Sequence, residues 1–136
     1  MIQVSAYPPN IREIQKVFHI EGRKGIVFTH GQVIYNPDMG HLDDPLMFHE
    51  ATHSLQQDEL GVDAWWKKYL EDKDFRLSQE LQAYHQQYKK YCKTQKDRNK
   101  IAQYLHRLAV DCSGEIYGNM ITYTEALKQI KNYGSR

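Results

Sequence analysis

Hydrophobic and polar positions follow two spacings along this chain. Short apolar runs occur at residues 2–7 and 26–35, and a spacing of three to four residues dominates most of the rest. Residues 26–29 and 32–35 are rich in β-branched and aromatic side chains, and His30-Gly31 between them predicts a two-residue hairpin turn. Residues 2–7 alternate weakly and predict a short first strand, which ends at Pro8-Pro9 because proline cannot donate to a ladder. These runs predict a small N-terminal sheet.

Most of the remaining sequence has the spacing of amphipathic helices. Asn10 is a typical N-cap for a first helix over residues 11–22, whose apolar face should pack on the sheet. Asp43 or Asp44 followed by Pro45 marks the start of a second helix. Further helices are predicted over residues 62–71, 75–93, 97–111 and 124–133. The predicted fold class is α+β, mostly helical, with a small antiparallel hairpin packed on the second helix.

Length and composition limit what the chain can be. Its 136 residues leave room for one domain, residues 1–136, and no second core. The 18 basic and 17 acidic residues nearly cancel, so neither nucleic acid nor a membrane surface is expected as a partner. The N-terminus is unlike a signal peptide and no apolar stretch could span a bilayer, which predicts a cytoplasmic location. Cys92 and Cys112 lack metal-binding spacing, and we expect both to be reduced.

The second predicted helix contains His49-Glu50-Ala51-Thr52-His53, an H-E-x-x-H segment. Residues four apart lie one above the other on a helix, so both imidazoles can reach one divalent metal ion while Glu50 projects beside them. The stripe that includes these residues also contains Leu46, Gln57 and Leu60. Polar groups buried on such a face would cost several kcal/mol (about 2–7 per unpaired group), which a bound metal would relieve. A pair of histidines on a solvated helix is the alternative.

A third ligand has to come from elsewhere in the chain. Glu59 stands where the H-E-x-x-H-x-x-G-x-x-H pattern has its last histidine, but Gln56 replaces the glycine, so the helix continues and Glu59 faces solvent. Glu80 is the one carboxylate in an otherwise apolar stripe of the helix over residues 75–93, and we predict it to be the third ligand. A structural ion pair or a solvated rim position are the alternatives for Glu80, and His41 is the rival ligand.

The residues resemble a known family. His49 to His53 followed by Gln79-Glu80 on a later helix resembles the gluzincin branch of the zincin metallopeptidases. The wider pattern, with Gln56-Gln57, Trp65-Trp66 and Arg76, is similar to small zincin-like proteins encoded by bacteriophages and bacteria. The resemblance covers roughly residues 45–126, and its first motif is the specific part.

The resemblance implies one Zn²⁺ per chain, held by His49, His53 and Glu80, with Glu50 as general base for hydrolysis of a peptide bond. Tyr84, one helical turn beyond Glu80, is the nearest candidate by spacing for the group that stabilises the oxyanion, although a place in the tyrosine-rich core is the alternative. The expected partners are a peptide or protein substrate and, because the chain is short, a protein that completes the site. Association with a phage-related particle is the alternative location.

Three functions from different classes remain open at this point. The first is a small zinc metallopeptidase. The second is a catalytically weak or inactive zincin-like protein that uses zinc for stability or binding, for example in a phage-related assembly. The third is a helical protein in which the motif is a coincidence. The hairpin before the second helix bears on this choice, because a free strand edge beside the motif could align an extended peptide; an ordinary hairpin that covers a core is the alternative.

Overall fold

The computed structural model of the chain describes residues 1–134, and within them the fold is mostly helical with a small sheet near the N-terminus. In chain order the elements are β1 (Ile2–Val4), α1 (Ile11–Val17), β2 (Phe28–His30), β3 (Val33–Tyr35), α2 (Asp44–Leu60), α3 (Val62–Glu71), α4 (Lys73–Thr94), α5 (Arg98–Cys112), a 3-10 turn (Glu115–Tyr117) and α6 (Tyr123–Asn132). The α+β expectation is confirmed at this level. No helix in the described part is long and apolar enough to cross a bilayer.

The sheet is mixed, so the prediction of a purely antiparallel sheet is wrong. β3 lies in the centre, with β2 antiparallel on one side and β1 parallel on the other. α1 and the loop that follows it connect β1 to β2, and the hairpin then places β3 between these two strands, parallel to β1. The hairpin itself is present, but His30 pairs with Val33, so its turn consists of Gly31 and Gln32. Gly31 has a φ of 65°, a value that glycine adopts without strain.

The first helix is shorter than its apolar spacing predicts. It ends at Val17, and Phe18 is extended, with φ −114° and ψ 133°. Phe18 and Ile20 are both buried, because an extended chain places alternate residues on the same side. Asn10 precedes the helix but forms no side-chain cap, and the N–H of Ile11 donates to the carbonyl of Pro8 instead. Burial of Phe18 and Ile20 therefore accompanies an early end of α1.

α2 begins where the sequence predicts. The carboxylate of Asp43 accepts a hydrogen bond from the N–H of Leu46 at 3.0 Å, and Pro45 occupies the first turn. The helix stops before Gly61, whose φ of 96° suits glycine. α2 lies between two apolar clusters. One, the C-terminal cluster, is formed by α4, α5 and α6; the other, the N-terminal cluster, combines α1, β2 and α3.

Candidate metal centre

The helix that carries the motif buries a polar face. Its buried residues are His49, Glu50, Thr52, His53, Ser54, Gln56 and Gln57. Its large apolar residues point outward, with Phe48 44% and Leu55 67% exposed. Leu60, which the helical stripe predicts on the inward face, is 46% exposed. Because buried polar groups cost free energy unless they are bonded, this inversion of the usual pattern requires a dense set of polar partners in the interior.

Three predicted ligand residues meet at one point beneath α2. The Nε2 atoms of His49 and His53 are 3.2 Å apart. Each also lies 3.2 Å from a carboxylate oxygen of Glu80 on α4, His49 from Oε1 and His53 from Oε2. All three residues are buried, with 2–6% of their surface exposed. Among the described residues this His-His-Glu group could hold a metal ion.

The donor separations agree with the size of a metal site. In a tetrahedral zinc site with bonds of about 2.0–2.1 Å, neighbouring ligand atoms lie about 3.3 Å apart. The three separations of 3.2 Å between the two Nε2 atoms and the Glu80 oxygens are close to that value. These four electron-rich atoms, two nitrogens and two carboxylate oxygens, repel one another across such gaps unless a cation or a proton lies between them. The geometry therefore fits a small divalent metal ion.

Both imidazole rings are turned so that Nε2 faces the centre. The Nδ1 of His49 donates to Oε1 of Gln87 at 3.0 Å, and the Nδ1 of His53 donates to Oε1 of Gln56 at 2.9 Å. The Gln56 amide is fixed in turn because its Nε2 donates to the backbone carbonyl of Gln79. These contacts place a proton on each Nδ1, so each imidazole in its neutral form carries its lone pair on Nε2, which is the tautomer that binds a metal.

Glu80 has only part of its hydrogen-bonding capacity filled by protein. The hydroxyl of Tyr69 donates to its Oε2 at 2.5 Å, whereas its buried Oε1 accepts no hydrogen bond from the described residues. A buried carboxylate oxygen without a donor costs free energy comparable to a lost charged hydrogen bond. The one polar atom beside it in the triad is Nε2 of His49, whose proton lies on the opposite side of the ring. A metal ion would satisfy this atom.

Without a metal, the triad holds a proton. Burial lowers the pKa of His53, but the Glu80 carboxylate opposes this more strongly and brings the pKa to about 9. Burial raises the pKa of Glu80, yet His53 and His49 outweigh it and hold that pKa well below its usual value. The shifts describe a protonated His53 paired with an ionised Glu80. A metal ion would take the place of that proton.

Glu50 lies next to the triad and outside it. Its Oε2 accepts a weak hydrogen bond from the Thr29 hydroxyl at 3.4 Å. Burial raises the pKa of Glu50, and the nearby His49 and His53 partly offset this effect. A carboxylate whose proton affinity is raised and which borders the ligands is suited to accept and release a proton.

Tyr84 packs against the site through its ring. The ring centroid lies 4.5 Å from that of His49 in an edge-on arrangement, and its hydroxyl is 2.9 Å from the hydroxyl of Tyr117. Tyr84 is 6% exposed, whereas Tyr117, on the 3-10 turn, is only half-buried. The structure therefore offers two linked phenols beside the triad, of which the sequence singled out Tyr84 alone.

Two cavities border the candidate site. The inner cavity, of about 90 Å³, extends into the N-terminal cluster and is bordered by His49, Glu50, His53 and Glu80. An open cleft of about 470 Å³ is also bordered by His49 and Glu50. Tyr117 borders both of them. A molecule in the cleft would thus reach Glu50 and the edge of the triad from solvent.

The strand edge beside α2 is largely occupied. The carbonyl of Thr29 accepts hydrogen bonds from Nε2 of Gln57 at 2.8 Å and from the indole Nε1 of Trp66 at 3.2 Å. Thus β2 does not present this acceptor to an added strand. The chain just before it, residues 25–27, borders the cleft instead.

Other histidines are engaged elsewhere or exposed. His41, the rival ligand, is exposed in the loop before α2 and outside the triad. The Nδ1 of His85 contacts the carbonyl of Ile130, and that of His106 contacts the hydroxyl of Tyr123, both at 2.6 Å. Neither residue belongs to the metal-binding group.

Sequence reasoning did not assign Gln87, Tyr69 or Tyr117 to the site. Gln87 and Tyr69 could have been recognised from the sequence, since each places a polar group within an apolar helical stripe. Comparison with known proteins gives no help with the identity: no protein-family model, curated protein or solved structure matches this chain. The structure defines a helical α+β protein with a buried His-His-Glu group that could hold a metal ion.

Proposed function

We propose that this chain is a zinc-dependent peptidase that hydrolyses peptide bonds in short or exposed segments of its substrates. His49, His53 and Glu80 would hold the zinc ion, and Glu50 would be the general base. The observation that carries the proposal is the convergence of two Nε2 lone pairs and one carboxylate at separations of 3.2 Å in a site open to a cleft. A triad that only stabilised the core would not need to border solvent.

A bound zinc ion supplies Lewis acidity and lowers the pKa of a coordinated water toward neutrality. The protein contributes the proton transfers. Glu50 accepts a proton on its carboxylate as water attacks the substrate carbonyl, and it then delivers that proton to the nitrogen of the departing amine. Burial, which raises the pKa of Glu50, favours the first of these transfers.

We assign oxyanion stabilisation to the phenol pair of Tyr84 and Tyr117, since a hydroxyl beside the site can donate to the charge that develops on the carbonyl oxygen. If Tyr84 makes this contact, Tyr84→Phe should lower kcat by roughly 10²-fold or more with little change in KM. Tyr117→Phe is the matched variant, because it removes the hydroxyl on the other side of the same 2.9 Å contact. A larger loss in Tyr117→Phe would transfer the role to that residue.

A second candidate function is a zinc-stabilised binding protein without turnover, for example a component of a phage-related assembly. One observation favours it: the Thr29 carbonyl, which an extended substrate would use as an acceptor, is already bonded to Gln57 and Trp66. A protein partner at the cleft would need no such strand edge. In this case replacement of Glu50 would change neither the zinc content nor the binding of the partner.

The first experiment is the metal content per chain, measured by plasma mass spectrometry after purification without chelators. We expect about one zinc ion in the wild type and far less in Glu80→Ala, because one of three ligands is missing. Glu59→Ala, which removes an exposed carboxylate of the same helix that does not belong to the triad, is the control. Absence of zinc from the wild type, or full retention in Glu80→Ala, would contradict the ligand set.

The second experiment separates the enzyme from the binding protein. Wild type and Glu50→Gln, both loaded with zinc, are compared on a library of short peptides. We expect cleavage by the wild type and a loss of at least about 10²-fold in Glu50→Gln with zinc content unchanged, which is the usual size of a general-base contribution. Equal trace activity in the two proteins would favour the binding function.

A further inference from the structure

The open cleft beside the triad has two walls of different charge. One wall is the loop over residues 23–27, in which Arg23 and Lys24 are the charged residues. A second wall is formed by the end of α5 and the 3-10 turn, with Asp111, Ile116 and Tyr117. Apart from the proposed site residues, Arg23, Lys24 and Asp111 are the charged side chains that border the cleft in the described part of the chain.

The two basic side chains already have counter-charges. Arg23 lies 3.7 Å from Glu115, and Lys24 lies 3.8 Å from Asp38. Asp111, in contrast, forms no ion pair within residues 1–134. Arg107, one helical turn before it, lies over the ring of Tyr104 at 5.6 Å from the centroid. Of Arg23, Lys24 and Asp111, only Asp111 thus lacks an ion-pair partner among the described residues.

The position of Asp111 in its helix does not explain this carboxylate. It lies in the last turn of α5, which ends at Cys112. The C-terminal end of a helix carries a partial negative charge, so an acidic side chain there is unfavourable, typically by about 0.3–1 kcal/mol. Burial by neighbouring groups also raises the pKa of Asp111, although Arg107 and His49 oppose the shift. Helix dipole and carboxylate together make this end of the cleft negative.

A negative, exposed and unpaired position at the rim of a peptide cleft is suited to bind a cation. We infer that Asp111 selects substrates that carry an ammonium or guanidinium group beside the bond to be cleaved, an inference that rests on the proposed peptidase function. The cation has two possible sources, a lysine or arginine side chain or the free N-terminus of the peptide.

The test uses calorimetric binding of matched peptides to the full chain in a Glu50→Gln background, with and without zinc, so that bound peptides stay intact. One series carries Lys, Arg or Gln at a central position with the N-terminus acetylated. A second series carries Gln with the N-terminus free or acetylated. The first series reports a side-chain cation and the second an N-terminal one.

We expect one series to bind its cationic members roughly fivefold more tightly than its neutral ones, as an accessible ion pair allows. Asp111→Asn, which keeps the shape of the side chain, should abolish this preference, and Asp111→Lys should reverse it. Glu59→Gln, an exposed carboxylate that does not border the cleft, should leave it unchanged. Circular dichroism verifies that each variant is folded.

Equal affinity for cationic and neutral peptides, a preference that survives in Asp111→Asn, or no binding of any peptide would overturn the inference. The proposed peptidase function is tested separately, by measuring cleavage of the same peptides by the zinc-loaded wild type. Cleavage without a preference for cations would leave the peptidase proposal standing and remove the role of Asp111. A preference that depends on Asp111 without any cleavage would keep the recognition site and remove the peptidase.

Discussion

At the scale of single residues, two glutamines orient the two imidazoles of the candidate metal centre. Gln56 acts on its own helix, three residues after His53, and Gln87 reaches His49 from α4. Gln87 is oriented by its own donation to the hydroxyl of Tyr104 at 3.0 Å. An imidazole held in one tautomer and one direction binds a metal better than a freely rotating one, since less entropy is lost and the ligand is more basic.

Replacement of Gln87 by leucine should weaken zinc binding by about 10- to 100-fold, the usual effect of losing an orienting contact. Affinity is measured by competition with a chromophoric chelator. Gln86→Leu is the matched control, because Gln86 is the neighbouring residue and forms no side-chain contact with the triad. Gln87→Glu retains an acceptor for the Nδ1 proton of His49, so it should retain most of the affinity; equal affinities in all four proteins would contradict the orienting role.

The proton on His53 predicts how zinc binding depends on pH. With a pKa of about 9 in the metal-free protein, against 6.5 for an ordinary histidine, His53 is protonated at pH 7. Zinc needs the neutral imidazole, so binding at pH 7 should release about one proton and apparent affinity should rise about tenfold per pH unit up to pH 9. Calorimetry in buffers of different ionisation enthalpy measures the release. Zinc affinity that is constant between pH 7 and 9 would refute this prediction.

The raised pKa of His53 also determines how the stability of the metal-free protein changes with pH. A folded-state pKa above the unfolded value stabilises the metal-free protein below about pH 6.5, and this contribution is lost as pH rises through about 9. The depressed pKa of Glu80 acts in the opposite direction, so its contribution is present above pH 4.5 and lost in acid. The metal-free protein should therefore melt at lower temperature at pH 9 than at pH 7.

At the scale of the elements, one side chain of α2 links the helix to the hairpin. Gln57 accepts a hydrogen bond from the N–H of Gly31 at 2.7 Å and donates to the carbonyl of Thr29 at 2.8 Å. It is completely buried, with 0% of its surface exposed. Ser54, one turn earlier, also donates to the carbonyl of Gly31 at 2.7 Å. The hairpin is thus held against α2 by polar contacts to its backbone.

Gln57→Ala should lower the free energy of unfolding by about 2–4 kcal/mol, because it leaves the partly buried N–H of Gly31 without an acceptor and opens a cavity. Denaturant unfolding of the metal-free protein measures the change. Asp58→Ala, at the adjacent exposed position, is the control and should change stability by less than about 0.5 kcal/mol. A loss below about 1 kcal/mol in Gln57→Ala would mean that the hairpin does not depend on this link.

At the scale of the whole molecule, the triad lies at the junction of the two apolar clusters. The ring of His53 lies 5.4 Å from Trp65 of the N-terminal cluster, and the ring of His49 lies 4.5 Å from Tyr84 of the C-terminal cluster. Arg76 joins the same parts of the fold. It is 3% exposed, and its guanidinium donates to the carbonyls of Tyr69, Leu70 and Tyr117 at 2.9, 3.0 and 3.2 Å.

Arg76→Met should destabilise the protein by about 2–4 kcal/mol, since one buried and two partly buried carbonyls lose a charged donor. Arg76→Lys keeps the charge but cannot reach three acceptors in a planar fork, so it should restore only part of the stability. Arg12→Met, at an exposed site on α1, is the control. Hydrogen exchange should rise at residues 114–119, which include Tyr117; protection equal to the wild type there would contradict the link.

Local patterns in the sequence predicted the parts of this protein that depend on neighbours along the chain. The cap at Asp43 with Pro45 determined where α2 begins, and the four-residue spacing placed His49 and His53 on one face, because both follow from helix geometry. The odd carboxylate Glu80 in an apolar stripe was recognisable for the same reason. The mostly helical fold class also follows from these periodic patterns.

The tertiary structure alone decided which groups meet across the fold. The parallel pairing of β1 with β3, the contact of Tyr69 with Glu80 and that of Gln87 with His49 join segments far apart in sequence. Periodicity identifies the face that a residue occupies, but not the element that packs against it. The strand edge at Thr29 is occupied for that reason, since Gln57 and Trp66 reach it only once α2 and α3 pack on the hairpin.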